Sequence, residues 1–245
     1  MRFDETYAGN VFIKSHPTYE DAKAVLYGMP MDWTVSYRPG SRFAPARIRE
    51  VSIGLEEYSF YLDRHLEDVK VFDAGDIPLP FGNPGKSLEE IKSFVRQVVA
   101  DGKVPVGMGG EHLVSLPVME AVYEKYPDMA VIHFDAHTDL RTDYEGEQYS
   151  HATPIRKIAD QIGPHNVYSF GIRSGLKEEL EWAKENGMHI SLFEVLEPLK
   201  KVLPTLAGRP VYVTIDIDVL DPAHAPGTGT VDAGGITSKE LLASI

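Results

Sequence analysis

Six residues of this chain have the types and spacing needed to hold divalent metal. In Ala130-Val-Ile-His-Phe-Asp-Ala-His-Thr-Asp139, the residues His133, Asp135, His137 and Asp139 recur at every second position. An extended backbone puts such residues on one face. Asp135 follows an apolar run, where a strand leaves the core. Carboxylate, imidazole and carboxylate crowded at that point are costly unless a cation binds them. His133 lies deeper in the strand and reads as a supporting or core residue. A second cluster, Val211-Tyr-Val-Thr-Ile-Asp-Ile-Asp-Val-Leu-Asp221, again ends an apolar strand, with Asp216 and Asp218 on a shared face. Asp221 precedes Pro222 and reads as a turn residue. The third piece is Val106-Gly-Met-Gly-Gly-Glu-His112, a glycine-rich turn after a strand, with His112 opening a helix. Such a turn can instead hold a phosphate, but no Walker lysine and no GxGxxG pattern is present.

His112, Asp135, His137, Asp139, Asp216 and Asp218 together form an oxygen-rich set with two imidazoles and no sulfur. That set suits hard or borderline divalent ions, manganese before zinc or copper. Six ligands are too many for one ion that also keeps a water, and they suit two ions bridged by carboxylates. Such a pair generates hydroxide at neutral pH and stabilises the oxyanion of a hydrolysis. Each piece alone is ambiguous, since a single DxD at a strand end is as often a turn or a magnesium site. Their joint occurrence at strand ends points to the metal pair.

Short apolar runs alternate with longer helical patterns, and these elements must position the six residues. The expected strands are Ala24–Tyr27, Val69–Asp73, Val104–Gly107, Ala130–Asp135, Asn166–Phe170, His189–Leu192 and Val211–Asp216. Several are apolar throughout, as in a parallel sheet covered on both faces. The clearest helix is Leu88–Asp101, with Ser87 and Glu90 as a capping box, an apolar stripe, and Gly102 as its stop. Further helices are expected over Pro45–Gly54, Leu113–Lys125, Pro154–Gln161, Lys177–Asn186 and Leu196–Leu203. The alternation predicts a doubly wound parallel sheet in a single domain over 1–245, with reactive groups at the carboxyl ends of strands. Asp76–Lys86, rich in proline and glycine, reads as a loop. Thr237–Ile245 starts like a helix and ends without a stop signal, so a final strand and helix are expected to be missing.

Bulk properties narrow the function classes. With 245 residues and 43% hydrophobic content, the chain can build a sizeable core. It has no cysteine, which excludes disulfides, thiolate metal sites and cysteine nucleophiles. A net charge of −13 argues against nucleic acid as a partner and favours a cationic substrate. Two divalent cations would bring that charge to about −9. No apolar run is long enough to span a membrane, and no secretory signal opens the chain, so a cytoplasmic enzyme is expected.

The sequence resembles the ureohydrolases, the arginase–agmatinase family. Three motifs carry the resemblance: Gly109-Gly-Glu-His112, Asp135-Ala-His-Thr-Asp139 and Asp216-Ile-Asp-Val-Leu-Asp-Pro222. Ala225-Pro-Gly-Thr-Gly-Thr230 with Gly234-Gly235 adds an agmatinase flavour, and the likeness covers essentially the whole chain. It implies an arginase-like three-layer α/β/α fold around a mostly parallel sheet, with two Mn²⁺ per subunit. By the family's pattern His112 and Asp139 hold one ion, His137 and Asp218 the other, and Asp135 and Asp216 bridge them. The implied reaction is attack of a metal-bridging hydroxide on a guanidinium carbon. Asp139 then passes a proton to the leaving amine. With agmatine the products are urea and putrescine, a step of polyamine biosynthesis.

The resemblance also implies that His151, in Tyr149-Ser-His-Ala-Thr-Pro154, shuttles protons or stabilises the transition state. Ala152 stands where the family usually has glycine. Thr230 is placed near the guanidinium as a substrate contact. The loop carrying Arg141, Asp143, Glu145 and Glu147 does not match the pattern with which arginases read an amino acid head, which favours a substrate lacking that head. The family also has a glutamate that grips the guanidinium on a strand near the C-terminus. No residue after Asp232 matches it, and Glu240 sits too early, on a different element. A homo-oligomer, trimer or hexamer, is implied, with Phe3, Tyr7, Val11 and Phe12 as candidate arm contacts. Competing readings are guanidinobutyrase or formiminoglutamase chemistry, a non-catalytic metal-binding member, and a dimetal phosphoesterase, which would need a basic phosphate clamp that the motifs lack.

Overall fold

A computed structural model describes residues 10–245, so Phe3 and Tyr7 lie outside the described residues. The chain divides into two compact units, one ending at Lys125 and the other comprising 34–38 and 126–245. In the first unit the elements run β1 (Ala24–Met29), α1 (Ala44–Ser52), β2 (Tyr58–Ser59), β3 (Arg64–His65), β4 (Val71–Asp76), α2 (Pro84–Ala100), β5 (Val104–Gly109) and α3 (Ser115–Lys125). Strands β4, β1 and β5 form a parallel sheet in that order, with β1 central and wholly buried. The small antiparallel hairpin of β2 and β3 has too short an apolar pattern to be read in advance.

Helix α2 begins four residues earlier than expected. Asn83, not Ser87, caps it: its side chain accepts the Lys86 N–H at 3.1 Å, and Pro84 takes the first helical position. The expected capping box is therefore wrong. Ser87 is buried inside the helix, where its hydroxyl donates to the Pro80 carbonyl at 3.3 Å and accepts Trp33 Nε1–H at 3.2 Å. The apolar stripe is as expected. Ile91, Phe94, Val95 and Val98 are buried, and the Phe94 ring lies 5.1 Å from that of Tyr27 on β1. Each such side chain, fully buried, contributes roughly 1.5–3 kcal/mol. Gly102 follows with φ 74°, the left-handed stop that glycine adopts without strain. Beneath the helices, Arg49 of α1 donates from Nε and Nη2 to both oxygens of Asp73 at 2.7 and 2.8 Å, and from Nη1 to Asp76. Asp73 Oδ2 also accepts the Phe12 N–H at 2.8 Å, while the Val11 side chain is exposed.

The second unit runs β6 (Ala130–Phe134), α4 (Pro154–Ile162), β7 (Val167–Ile172), α5 (Lys177–Glu185), β8 (His189–Leu192), α6 (Leu196–Val202), β9 (Val211–Ile215) and α7 (Ser238–Ser244). Its sheet is parallel throughout, in the order β8, β7, β6, β9. All of β6 and β7 is buried, as expected of near-continuous apolar strands covered on both faces. Thr237 and Glu240 form a capping box on α7, which accounts for Glu240 as a helix-start residue. Among the described residues no helix is long and apolar enough to cross a membrane.

Candidate metal centre

Register brings the two acidic motifs of the second unit together. Phe134 on β6 pairs with Ile215 on β9, so both chains leave the sheet at the same level. The Asp216 N–H donates to the Phe134 carbonyl at 2.8 Å, and the Asp135 N–H to the Phe170 carbonyl at 3.2 Å. Carboxyl ends of neighbouring parallel strands thus deliver Asp135 and Asp216 side by side.

Beyond Phe134 the alternating pattern does not persist. His137 bridges to Ser174, but Asp139 takes a left-handed conformation with φ 51°. The four residues from His133 to Asp139 therefore do not share one extended face, as their spacing suggested. They fold instead into two overlapping groups. One holds ligand atoms of His133, Asp135 and Asp139 within 4.8 Å of one another, and the other those of Asp135, His137 and Asp218. Asp135 belongs to both.

His133 is wholly buried and has both ring nitrogens engaged. Its Nε2 lies 2.9 Å from Asp135 Oδ2, and its Nδ1 2.9 Å from Ser169 Oγ on β7. Because a carboxylate only accepts, the network assigns the proton to Nε2 and makes the serine the donor to Nδ1. His133 thus orients Asp135, the supporting role expected for it. The other Asp135 oxygen accepts the His137 N–H at 2.6 Å.

His137 Nδ1 lies 3.1 Å from Asp218 Oδ2 and 3.4 Å from Asp135 Oδ1. Asp218 is buried. Its Oδ1 accepts the Ala136 N–H at 3.1 Å, and its Oδ2 the Thr230 hydroxyl at 3.2 Å. Thr230 therefore touches an acidic residue of the cluster. Asp216 joins neither group. Half-buried, it caps the turn Ile217–Val219 by accepting the Asp218 N–H at 3.0 Å. Asp221 makes the expected turn, accepting the N–H groups of Ala223 and Gly234.

The cluster is electrostatically loaded. Burial pulls the His137 imidazole down, but hydrogen bonds to Asp135 and Asp218 outweigh it and lift the pKa to about 11. Burial first, and then the charge of Asp135, push the Asp218 carboxyl up to about 6 against the opposing pull of His137. Two buried carboxylates at one imidazole nitrogen retain a proton because they need positive charge there. A divalent cation meets the same need. Ligand atoms about 2.1 Å from one ion and about 90° apart stand roughly 3 Å from each other, the spacing seen here. The residues present therefore fit a metal.

His151 sits in the loop before α4. Its N–H donates to Thr34 Oγ1 at 2.9 Å, and its Nδ1 lies 2.7 Å from the Thr34 carbonyl. A carbonyl can only accept, so Nδ1 carries the proton. Nε2, 3.3 Å from Ser36 Oγ, is left as the acceptor. The Tyr144 ring packs on the imidazole at 5.5 Å. The Ala152 backbone carbonyl accepts the Arg141 N–H at 3.0 Å. In the first unit, Gly110 has φ 23°, and an added Cβ would stand 2.4 Å from the Met31 carbonyl oxygen. Only glycine fits there, and the tight turn it permits delivers His112 as the first residue of the turn His112–Val114.

Arg173 lies outside every motif of the sequence. Its guanidinium, at the end of β7, donates to the carbonyls of Gly171, Asp218, Val219, Leu220 and Asp232 at 2.6–3.3 Å. An arginine directly after an apolar strand was the available signal.

Known proteins resemble this chain over most of its length. The arginase family profile matches residues 22–245. The chain is 78% identical over all of its 245 residues to the agmatinase of Bacillus subtilis strain 168, covering 84% of that protein. The solved agmatine ureohydrolase of Thermoplasma volcanium superposes with a TM-score of 0.87 at 31% identity, over 96% of this chain and 80% of that one. Proclavaminate amidino hydrolase of Streptomyces clavuligerus gives a TM-score of 0.88 at 31% identity, over 97% and 83%. The parallel sheets flanked by helices have the three-layer α/β/α organisation of these enzymes. On its motifs, its fold and its relatives, this chain belongs to the arginase family of ureohydrolases.

Proposed function

We propose that the chain hydrolyses agmatine to putrescine and urea at a centre of two Mn²⁺ ions. The proposed ligands are His112, Asp135, His137, Asp139, Asp216 and Asp218, with Asp135 and Asp216 shared between the ions. The observation that carries the reading is His137 Nδ1 set against both Asp135 and Asp218, in a chain 78% identical to an agmatinase. The presence of Asp135 in both ligand groups supports its shared role. His112 enters the set through its motif. The oxygen-rich donor set favours manganese.

Manganese, when bound, supplies an acidified water and positive charge opposite the charge that develops on the substrate. The chain's own residues manage the protons. Asp139 is proposed to take the proton of the attacking water and give it to the leaving amine. His151, with Nδ1–H fixed on the Thr34 carbonyl, has Nε2 available for proton exchange. Asp218 is assigned to the ion, and Thr230, which the family resemblance implies as a substrate contact, donates to it. The loop around Arg141 and Tyr144 offers no arginase-like pattern for an amino acid head, in keeping with agmatine. The protein is further read as a cytoplasmic homo-oligomer of three or six copies. Residues 1–245 are read as one ureohydrolase domain, since the family profile runs through both units.

The test is Mn²⁺-dependent urea release from agmatine, arginine and 4-guanidinobutyrate, assayed side by side. Agmatine should be strongly preferred. Equal or faster release from either of the others would overturn the substrate assignment.

A further inference from the structure

Asp232 belongs to none of the motifs, yet it meets the metal cluster from behind. One of its carboxylate oxygens stands 3.0 Å from His137 Nε2, while His137 Nδ1 faces Asp135 and Asp218. The Asp232 backbone is anchored. Its carbonyl accepts from Arg173 Nη2 at 2.9 Å and Nε at 3.3 Å, and the same Nη2 donates to the Asp218 carbonyl at 2.6 Å. One planar guanidinium thus ties the backbone at Asp218 to the backbone at Asp232 and holds the two carboxylates on their separate sides of the imidazole.

We propose that Asp232 is a positioning residue of the metal centre, fixing the tautomer and the ring orientation of His137, with Arg173 holding it in place. A neutral imidazole has one donor and one acceptor nitrogen, and a metal needs the acceptor. A carboxylate 3.0 Å from Nε2 favours the proton on that nitrogen, which leaves the Nδ1 lone pair directed at the Asp135–Asp218 side. A carboxylate in this place also makes the imidazole a better ligand. The inference rests on the reading that the cluster binds a divalent cation. It goes further by giving a loop residue outside the ligand set a share in metal affinity.

The experiment is a Mn²⁺ titration of the full chain, with free ion counted by electron paramagnetic resonance, for wild type, Asp232→Asn and Asp232→Ala. Metal-free melting temperatures are measured alongside. Asp232→Ala should weaken Mn²⁺ binding by roughly 10–100-fold, the usual effect of removing such a partner. Asp232→Asn should weaken it less, because its amide oxygen still accepts from Nε2–H. Both should melt like wild type without metal, as the Asp232 side chain is 40% exposed. Wild-type affinity in Asp232→Ala overturns the proposal. So does a loss of affinity that merely tracks a lower metal-free melting temperature. A wild-type chain that binds no Mn²⁺ overturns the metal reading and this inference with it. Wild-type binding with an unaffected Asp232→Ala overturns this inference alone.

Discussion

His137 Nδ1 and Asp218 Oδ2 stand 3.1 Å apart, and Asp135 Oδ1 lies 3.4 Å from the same nitrogen, so two buried carboxylates converge on one imidazole edge. Desolvation alone would expel charge from this spot, and it does lower the affinity of His137 for its proton. The two carboxylates reverse that effect and hold the imidazole protonated up to a pH of about 11. A group that binds protons this firmly in the folded chain ties metal affinity and stability to pH.

Both shifts in the pair have the same sign. His137 has a raised pKa, so its stabilising contribution is complete below its ordinary value of 6.5 and is lost as pH rises towards about 11. The Asp218 pKa is also raised, so its contribution is present below 3.8 and lost as pH rises through about 6. The metal-free protein should therefore melt at progressively lower temperature from pH 7 to pH 10, losing at most about 1.4 kcal/mol per unit per proton. Manganese competes for the same place, so its affinity should rise with pH, by at most roughly tenfold per unit. Calorimetric melting with and without Mn²⁺ across this range checks both trends. A metal-free melting temperature that climbs over the range contradicts them.

Thr230 gives the Asp218 oxygen that faces His137 a hydroxyl donor at 3.2 Å. Thr230→Val keeps the shape and removes the donor. One hydrogen bond to a charged group is worth about 1.5–3 kcal/mol. Mn²⁺ affinity should accordingly fall by roughly 10-fold or more, and the KM for agmatine should change little once metal is saturating. A raised KM at saturating metal, with unchanged metal affinity, would assign Thr230 to the substrate instead.

How much of this was visible in the sequence differs from residue to residue. Apolar runs mark all seven strands of the two parallel sheets, most plainly β1, β6 and β7, which are wholly buried and leave little room for polar residues. Helix ends were harder. Ser87 looked like a cap, but it lies inside α2 because Pro84 and Asn83 start the helix one turn sooner. The Asp135–His137–Asp218 cluster follows from motif spacing and strand register. Asp139 does not follow the period-two rule, because its left-handed backbone turns it out of line. Arg173 and Asp232 were missed for a different reason. Their partners are chiefly backbone carbonyls and a ring nitrogen far away in sequence, and no local spacing records such contacts.

His151 tests the division of labour between metal binding and proton transfer. Its Nδ1–H is committed to the Thr34 carbonyl, so only Nε2 can exchange a proton. His151→Asn preserves a donor of similar size and loses the titrating group. If His151 acts as general acid or base, kcat should fall by roughly 10²–10⁴ while Mn²⁺ content stays at the wild-type level. Metal analysis of the purified variant beside steady-state urea assays separates these effects. A variant that loses its manganese would place His151 in metal retention instead.

The first unit has a polar weak point of its own. Arg49 and Asp73 are both buried, and the guanidinium satisfies both carboxylate oxygens at 2.7 and 2.8 Å while also reaching Asp76. Desolvation works against the Arg49 charge, but hydrogen bonds and attraction to Asp73 and Asp76 raise its pKa and keep it protonated. Arg49→Met fills similar volume and leaves Asp73 buried without its counter-ion. Breaking a buried pair in this way costs about 3–5 kcal/mol. The double variant Arg49→Met/Asp73→Leu removes the orphaned charge as well and should recover much of the loss. It would not recover all of it, because Asp73 Oδ2 also accepts the Phe12 N–H and Oδ1 the Gly75 N–H. Urea denaturation of the two variants beside wild type reads this directly. Equal stability of the single variant and wild type would mean that the network carries no net stabilisation.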